Sequence, residues 1–260
     1  MKEFKKIESK ENSLIKLISA LQSSTKARKE NNLFVIEGLR ICKDAFENGI
    51  RFDKLIVSET AKKKYINDIA CFAEISDECI QITDNLFKKI SDTVSPQGII
   101  VLAQTPANRV DNIDINGRYI ALENVADPSN LGAVARTAEA LGVSGIILSS
   151  NGCDPYSPKV LRASMGTLLR LPVYILDDFS NQITSFGLKL YACVVNKDAT
   201  PITDIEFSDG SIVMIGNEAN GLTDTAKELS DYKITIKMLG RAESLNAAAA
   251  AAIAIWEMMK

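Results

Sequence analysis

From Asn12 onward the apolar positions Leu14, Leu17, Ile18 and Leu21 recur at the spacing of one helix face. The cluster Lys26, Arg28 and Lys29 that follows predicts an exposed basic turn. Short apolar runs at Leu33–Ile36, Lys54–Val57, Cys79–Ile82 and Gly98–Ala103 then alternate with helical stretches near Glu37–Glu47, Glu59–Ile69 and Asp84–Ile90. Alternation of this kind predicts a small α/β domain.

A polar, turn-rich segment from Gln104 to Gly117 interrupts the pattern and marks a boundary. The expected division is a first domain over 1–107, a linker over 108–117 and a second domain over 118–260. Beyond the boundary the apolar runs are continuous rather than alternating: Tyr119–Leu122, Gly145–Leu148, Val173–Leu176, Leu190–Val195, Ser211–Ile215 and Lys233–Ile236. Strands of that kind suit a parallel sheet covered on both faces. Helices fit between them near Leu131–Leu141, Pro158–Met165, Leu222–Leu229 and Leu245–Met259. The fold class expected is α/β, a parallel-sheet domain preceded by a smaller α/β domain.

Composition narrows the chemistry. The 260 residues include no histidine, which excludes Ser-His-Asp and Cys-His nucleophile systems, H-E-x-x-H zinc sites and imidazole acid-base work. Five cysteines with no C-x-x-C pair favour reduced thiols over a disulfide framework or zinc knuckle, so no metal is expected. The amino terminus lacks the apolar stretch of a signal peptide and the alanine-rich run near the carboxy terminus is too short to span a bilayer. A cytoplasmic protein without membrane attachment is expected. The net charge of −3 offers no bulk attraction to a polyanion, but the first 29 residues carry 8 basic and 3 acidic side chains. A polyanionic partner should therefore dock on the amino-terminal part, at Lys26–Lys29 or Lys62–Lys64.

Ligand sites of open parallel sheets lie at the carboxyl ends of the strands, so the loops after the apolar runs carry the interest. After Leu122 comes Glu123-Asn-Val-Ala-Asp-Pro-Ser-Asn-Leu-Gly-Ala-Val-Ala-Arg-Thr-Ala138, in which Asp127 before Pro128 reads as a helix cap. Asn130 and Gly132 near that start offer an amide and a close backbone approach, and Arg136 follows on the same helix. After Ile215 comes Gly216-Asn-Glu-Ala-Asn-Gly221, a glycine-bracketed turn with one carboxylate, Glu218. It lacks the Lys-Ser/Thr pair of a phosphate loop, which disfavours nucleotide hydrolysis. After Ile236 the chain reads Lys237-Met-Leu-Gly-Arg-Ala-Glu-Ser-Leu-Asn246, with Glu243 or Ser244 as the expected cap of the alanine-rich helix. Three polar loops after three strands define one place where a ligand could touch all of them.

In order and spacing these segments resemble the three motifs of the SpoU family of RNA ribose 2′-O-methyltransferases, within the SPOUT superfamily: N-x-x-D-P-x-N-x-G-A-x-x-R-T-A from Asn124, I-G-N-E-x-x-G-L from Ile215 and I-x-M-x-G-x-x-E-S-L-N from Ile236. Phe34-Val-Ile-Glu-Gly38 and Ser91-Asp-Thr-Val-Ser-Pro-Gln-Gly98 are similar to markers of the substrate-binding domain often fused in front. The resemblance implies S-adenosyl-L-methionine as methyl donor, a deep trefoil knot in the catalytic domain and a ribosomal-protein-like fold for the amino-terminal, RNA-holding domain. It further implies a homodimer with its active sites at the subunit interface. Gly216, Asn217, Ile236 and Leu245 match cofactor-binding positions, and Asn130, Arg136, Glu218, Ser244 and Asn246 match the catalytic set. Lys237 departs from the pattern, standing where the family commonly has proline.

The reading that follows is a 2′-O-methyltransferase of RNA, with ribosomal RNA first and tRNA as the alternative substrate. The general base is left open between Arg136, Glu218 and water, since a free guanidinium holds its proton to above about pH 12. A catalytically silent RNA-binding protein and a methyltransferase acting on a base nitrogen are the competing classes. The intact Arg136, Glu218 and Asn246 weigh against the first, and the Ser-Leu-Asn ending of the third motif weighs against the second.

Overall fold

The computed structural model describes residues 2–107 and 113–260; residues 108–112 of the expected linker lie outside the described residues. Two compact units make up the chain: Met1–Ala107 with Tyr156–Arg162, and Asn108–Pro155 with Ala163–Lys260. The return of Tyr156–Arg162 to the first unit differs from the simple division at the linker. Its physical reason is local: the Tyr156 ring packs 5.0 Å from that of Phe34, and Arg162 pairs with Asp92 at 2.6 Å.

The first unit runs β1 (Lys5–Ile7), α1 (Ser13–Ser23), α2 (Thr25–Asn31), β2 (Leu33–Glu37), α3 (Leu39–Glu47), β3 (Phe52–Ser58), α4 (Glu59–Lys64), α5 (Ile66–Ile75), β4 (Ser76–Ile82), α6 (Asp84–Ile90) and β5 (Ile99–Gln104). Among the described residues its sheet has the order β1-β4-β3-β5-β2, with β5 antiparallel to both neighbours. The apolar face of α1 packs through Ile15, Ile18 and Leu21 onto Val35, Ile56 and Ile100. The two markers in this unit meet: the Glu37 carboxylate accepts from Asp92 N at 2.9 Å, from Thr93 Oγ1 at 2.8 Å and from Ser91 Oγ.

The expected basic turn is corrected here. Thr25–Asn31 is helical, and Arg28 is buried, donating from Nη1 to Leu21 O at 2.5 Å and from Nη2 to Thr25 Oγ1 at 3.0 Å. The end of α1 leaves carbonyls unsatisfied, and the guanidinium supplies them with a donor. Lys26 and Lys29 alone of that cluster remain exposed.

In the second unit the chain runs β6 (Arg118–Leu122), α7 (Pro128–Ala140), β7 (Gly145–Ser149), α8 (Pro158–Ala163, mostly returned to the first unit), β8 (Val173–Leu176), α9 (Phe179–Thr184), β9 (Lys189–Cys193), β10 (Thr200–Pro201), β11 (Ser211–Ile215), α10 (Asp224–Glu228), β12 (Tyr232–Thr235) and α11 (Ala247–Met258). Every described strand pairing in its sheet, ordered β10-β12-β9-β11-β6-β7-β8, is parallel. Tyr119, Ile147, Leu190, Ile212 and Met214 are among the side chains of the core. The chain winds from β6 outward through β7 to β8, then crosses to β9 and back to β11 beside β6. Strand order reverses between β6 and β11, the place where ligands of open parallel sheets commonly bind.

Candidate active site

The loop after β6 is fixed from below. Glu123 is 3% exposed; its N–H donates to Ile215 O at 2.9 Å, and its carboxylate accepts from both Thr223 N and Thr223 Oγ1 at 2.8 Å. One buried side chain thus ties the first loop to the end of the second. Asn124 follows with φ 56°, a left-handed conformation that asparagine tolerates. Ser149 Oγ holds it, accepting from Asn124 N at 2.7 Å and donating to Asn124 Oδ1 at 3.1 Å. Asp127 caps α7 by accepting from Ser129 N at 2.7 Å, with Pro128 in the first turn as expected. This places Asn130 in that turn, buried.

The loop after β11 is a preformed turn. Asn217 and Gly221 exchange backbone hydrogen bonds at 3.1 and 2.8 Å, and Asn217 Oδ1 accepts from Ala219 N at 2.9 Å. Asn217 Nδ2 donates to Asn124 O at 2.8 Å, so the carboxamide of this predicted cofactor residue serves the turn and the neighbouring loop. Gly216 is required by contact: a Cβ there would lie 2.0 Å from the carbonyl carbon of Gly221. Gly132 also lacks room, but for a different neighbour than expected. A Cβ on it would meet Ala163 Cβ at 2.4 Å, so its close approach serves packing of α7 rather than a ligand.

From the loop after β12 the cap of α11 is Asn246, not Glu243 or Ser244; its Oδ1 accepts from Ala248 N at 2.9 Å. The same side chain donates from Nδ2 to Asn130 Oδ1 at 3.0 Å, and Asn130 donates from its own Nδ2 to Glu218 Oε1 at 2.6 Å. One residue from each of the three loops therefore joins a single chain of hydrogen bonds with Asn130 at its centre. A buried carboxamide with both ends satisfied holds Glu218 and Asn246 in register.

Beside this chain lies a cavity of about 580 Å³, lined among others by Gly216, Asn217, Glu218, Ile236, Ser244 and Leu245. All four predicted cofactor positions thus line one space, together with two of the predicted catalytic residues. Asn130 and Asn246 reach it through Glu218. Arg136 is not brought there: it is exposed on α7, six residues beyond Asn130 and turned from it by about 120° of helix. Among the described residues its guanidinium has no hydrogen bond or ion pair.

The sequence reading missed a further wall, the end of β9, where Cys193 and Val194–Asn196 line the cavity beside the second and third motif loops. Burial pushes the Cys193 thiol up to about 11. The rule that pointed to the other three strand ends would have found it, had the order β9-β11 been known. Glu123, Asn124 and Thr223 were also missed as a supporting set, because a buried carboxylate is not visible in a string of letters.

Residues 117–256 match the SpoU rRNA Methylase family, and residues 12–101 match an MRM3-like substrate binding domain. The chain is 28% identical over 98% of its length to the 23S rRNA (guanosine(2553)-2′-O)-methyltransferase RlmP of Bacillus subtilis, 99% of which is covered. It is 30% identical to an uncharacterized tRNA/rRNA methyltransferase of Synechocystis, covering 96% of this chain and 92% of that one. Its structure is similar to the crystal structure of an AdoMet-bound rRNA methyltransferase from Sinorhizobium meliloti, with TM-score 0.87, 28% identity and coverage of 98% and 97% of the two chains.

Proposed function

Because the chain belongs to the SpoU rRNA methylase family, we propose that it transfers the methyl group of S-adenosyl-L-methionine to a ribose 2′-hydroxyl, and that the substrate is ribosomal RNA. The observation that carries this reading is the chain Asn246–Asn130–Glu218, which joins all three motif loops beside a cavity walled by the second and third of them. The cavity's volume falls within the range of about 300–1,000 Å³ usual for small-molecule sites, and its lining of Ile236, Met238 and Leu245 with Glu218 and Ser244 suits a nucleoside bearing a charged amino acid. Bound there, the cofactor supplies a methyl group on a positively charged sulfur.

The chain's own residues have to position the attacking oxygen and remove its proton. Attack of an oxygen on a sulfonium methyl diminishes charge along the path, so positioning and exclusion of water contribute most. Glu218, held by Asn130, can orient the hydroxyl or take its proton. Arg136 can stabilise the developing alkoxide or clamp a phosphate, but only by approaching a cavity that its own copy's α7 does not let it line.

A second copy of the chain resolves this. α7 packs on α11, and α11 shows solvent a stripe of Ala249, Ile253 and Trp256, the last 57% exposed. The protein forms a homodimer across these helices, each copy's Arg136 serving the other's cavity. The deep trefoil knot belongs to the same reading, as does a place in the cytoplasm, where ribosomal RNA is modified in bacteria. Among the described residues no helix is long and apolar enough to cross a membrane.

The test is transfer of tritiated methyl groups to total RNA from a strain lacking this gene, fractionated by size, with Arg136→Ala alongside. Label in one large ribosomal RNA, lost with the variant, is the expected result. Label in tRNA moves the substrate, and absence of label despite cofactor binding supports a silent RNA-binding protein.

A further inference from the structure

A second cavity, of about 380 Å³, adjoins the one assigned to the cofactor. The two share the wall formed by the turn from Asn217 to Leu222, whereas Asn124, Thr223 and Asp224 line the second alone. Its walls are built rather than loose: Thr223 is clamped by the buried Glu123, and Asn124 is held left-handed by Ser149. Asn217 links it to the reaction centre, donating to Asn124 O at 2.8 Å and approaching Glu218 Oε2 at 3.4 Å.

The polar groups left over at this cavity are the informative ones. Ser149 occupies Asn124 Oδ1, while Asn124 Nδ2 has no partner among the described residues, nor does the Asn220 carboxamide. Left-handed backbone at a non-glycine residue is retained where the surroundings dictate it, and here it sets an unpaired amide in the cavity wall. The cation present, Lys227, is neutralised by Asp224 at 2.8 Å, and that carboxylate would repel a phosphate. Unpaired carboxamides without free positive charge match the hydrogen-bonding edge of a nucleobase, which RNA-binding proteins read on bases turned out of the stack.

We propose that this cavity receives the nucleobase of the target nucleotide, with Asn124 Nδ2 and the Asn220 carboxamide reading its edge while the attached ribose lies at Glu218. The assignment rests on the proposed methyl transfer to RNA and adds to it a base-recognising subsite.

Asn124→Gly and Asn124→Asp test it, because both residues accept a left-handed backbone and both remove the amide donor. Cofactor affinity is measured by titration calorimetry, and kcat/KM for ribosomal RNA by methyl transfer. The subsite predicts cofactor affinity within about twofold of wild type and kcat/KM lowered about 10- to 100-fold in both variants, as for loss of a hydrogen bond made to substrate. Once the methylated nucleotide is mapped, an abasic nucleotide there should slow the wild type comparably and the Gly variant little further. Unchanged kcat/KM in both variants overturns the subsite while leaving methyl transfer standing. So does an equal loss of cofactor affinity, which makes Asn124 a support of the cofactor loop. A wild type that methylates no RNA overturns the proposed function and the subsite with it.

Discussion

Gly216→Ala is the sharpest perturbation that the geometry offers. The added Cβ would stand 2.0 Å from the carbonyl carbon of Gly221, 2.1 Å from Leu222 N and 2.4 Å from Gly221 O, all backbone atoms, where ordinary contact begins at 3.4 Å. The turn must therefore open by about 1.4 Å, the difference between 3.4 and 2.0 Å, and the paired backbone hydrogen bonds between Asn217 and Gly221 must lengthen with it. Displacement on that scale costs binding or catalysis about 100-fold, or about 2.7 kcal/mol. Calorimetry with S-adenosyl-L-methionine should show Kd raised about 30- to 100-fold, with Tm lowered by less than about 10 °C because the strain is local. Gly240→Ala is the internal control, since a Cβ there meets nothing within 4 Å. Gly216→Ala with cofactor affinity within twofold of wild type would refute the placement of the cofactor against this turn.

Three further outcomes follow from the same site. Asn130→Ala removes the donor to Glu218 and the acceptor for Asn246, a neutral and a charge-assisted hydrogen bond together worth about 2–4 kcal/mol; kcat should fall about 30-fold or more with cofactor affinity little changed, and equal losses in both would point to misfolding. If Arg136 works across a dimer, mixing and refolding inactive Arg136→Ala and Gly216→Ala chains should restore about a quarter of wild-type activity, because half of the dimers regain one of two sites; no recovery contradicts the exchange. Cys193, with its thiol raised to about 11 by burial, should hold about one thiolate in a thousand at pH 8, so its alkylation, followed by peptide mass spectrometry, should be far slower than that of exposed Cys71, climb about tenfold per pH unit toward pH 10 and be blocked by S-adenosylhomocysteine. Alkylation of Cys193 at the rate of Cys71, indifferent to that ligand, counts against the wall formed by the end of β9.

Most strands of both units were legible because their cores impose the pattern: Ser211–Ile215 and Val173–Leu176 are continuous apolar runs bounded by polar turns, and the structure has them with the same limits. Lys5–Ile7 was not legible, since a three-residue edge strand with two lysines carries no hydrophobic signature. Glu59–Ile69 read as one helix but is broken at Tyr65, whose ψ of 40° interrupts the turn. Arg28 read as solvent-facing because charge predicts exposure, and only the end of α1 beside it explains its burial.

The site shows the same division. The three loops and their polar residues stood out from strand-end logic, and Asp127 as a cap was readable from Asp-Pro. What joins the loops was not readable. The bond from Asn130 to Glu218 spans 88 positions, and the clamp from Glu123 to Thr223 spans 100. Such pairs depend on β11 lying beside β6, a strand order that periodicity does not encode.

The most direct measurement is mass spectrometry of nucleosides. Ribosomal RNA from a strain lacking the gene is incubated with the protein and deuterated-methyl S-adenosyl-L-methionine, then digested completely and fragmented. The account predicts one nucleoside that gains the label and retains it on the ribose fragment, absent with Glu218→Ala or Arg136→Ala. Label on the base fragment, or on no nucleoside at all, would contradict it.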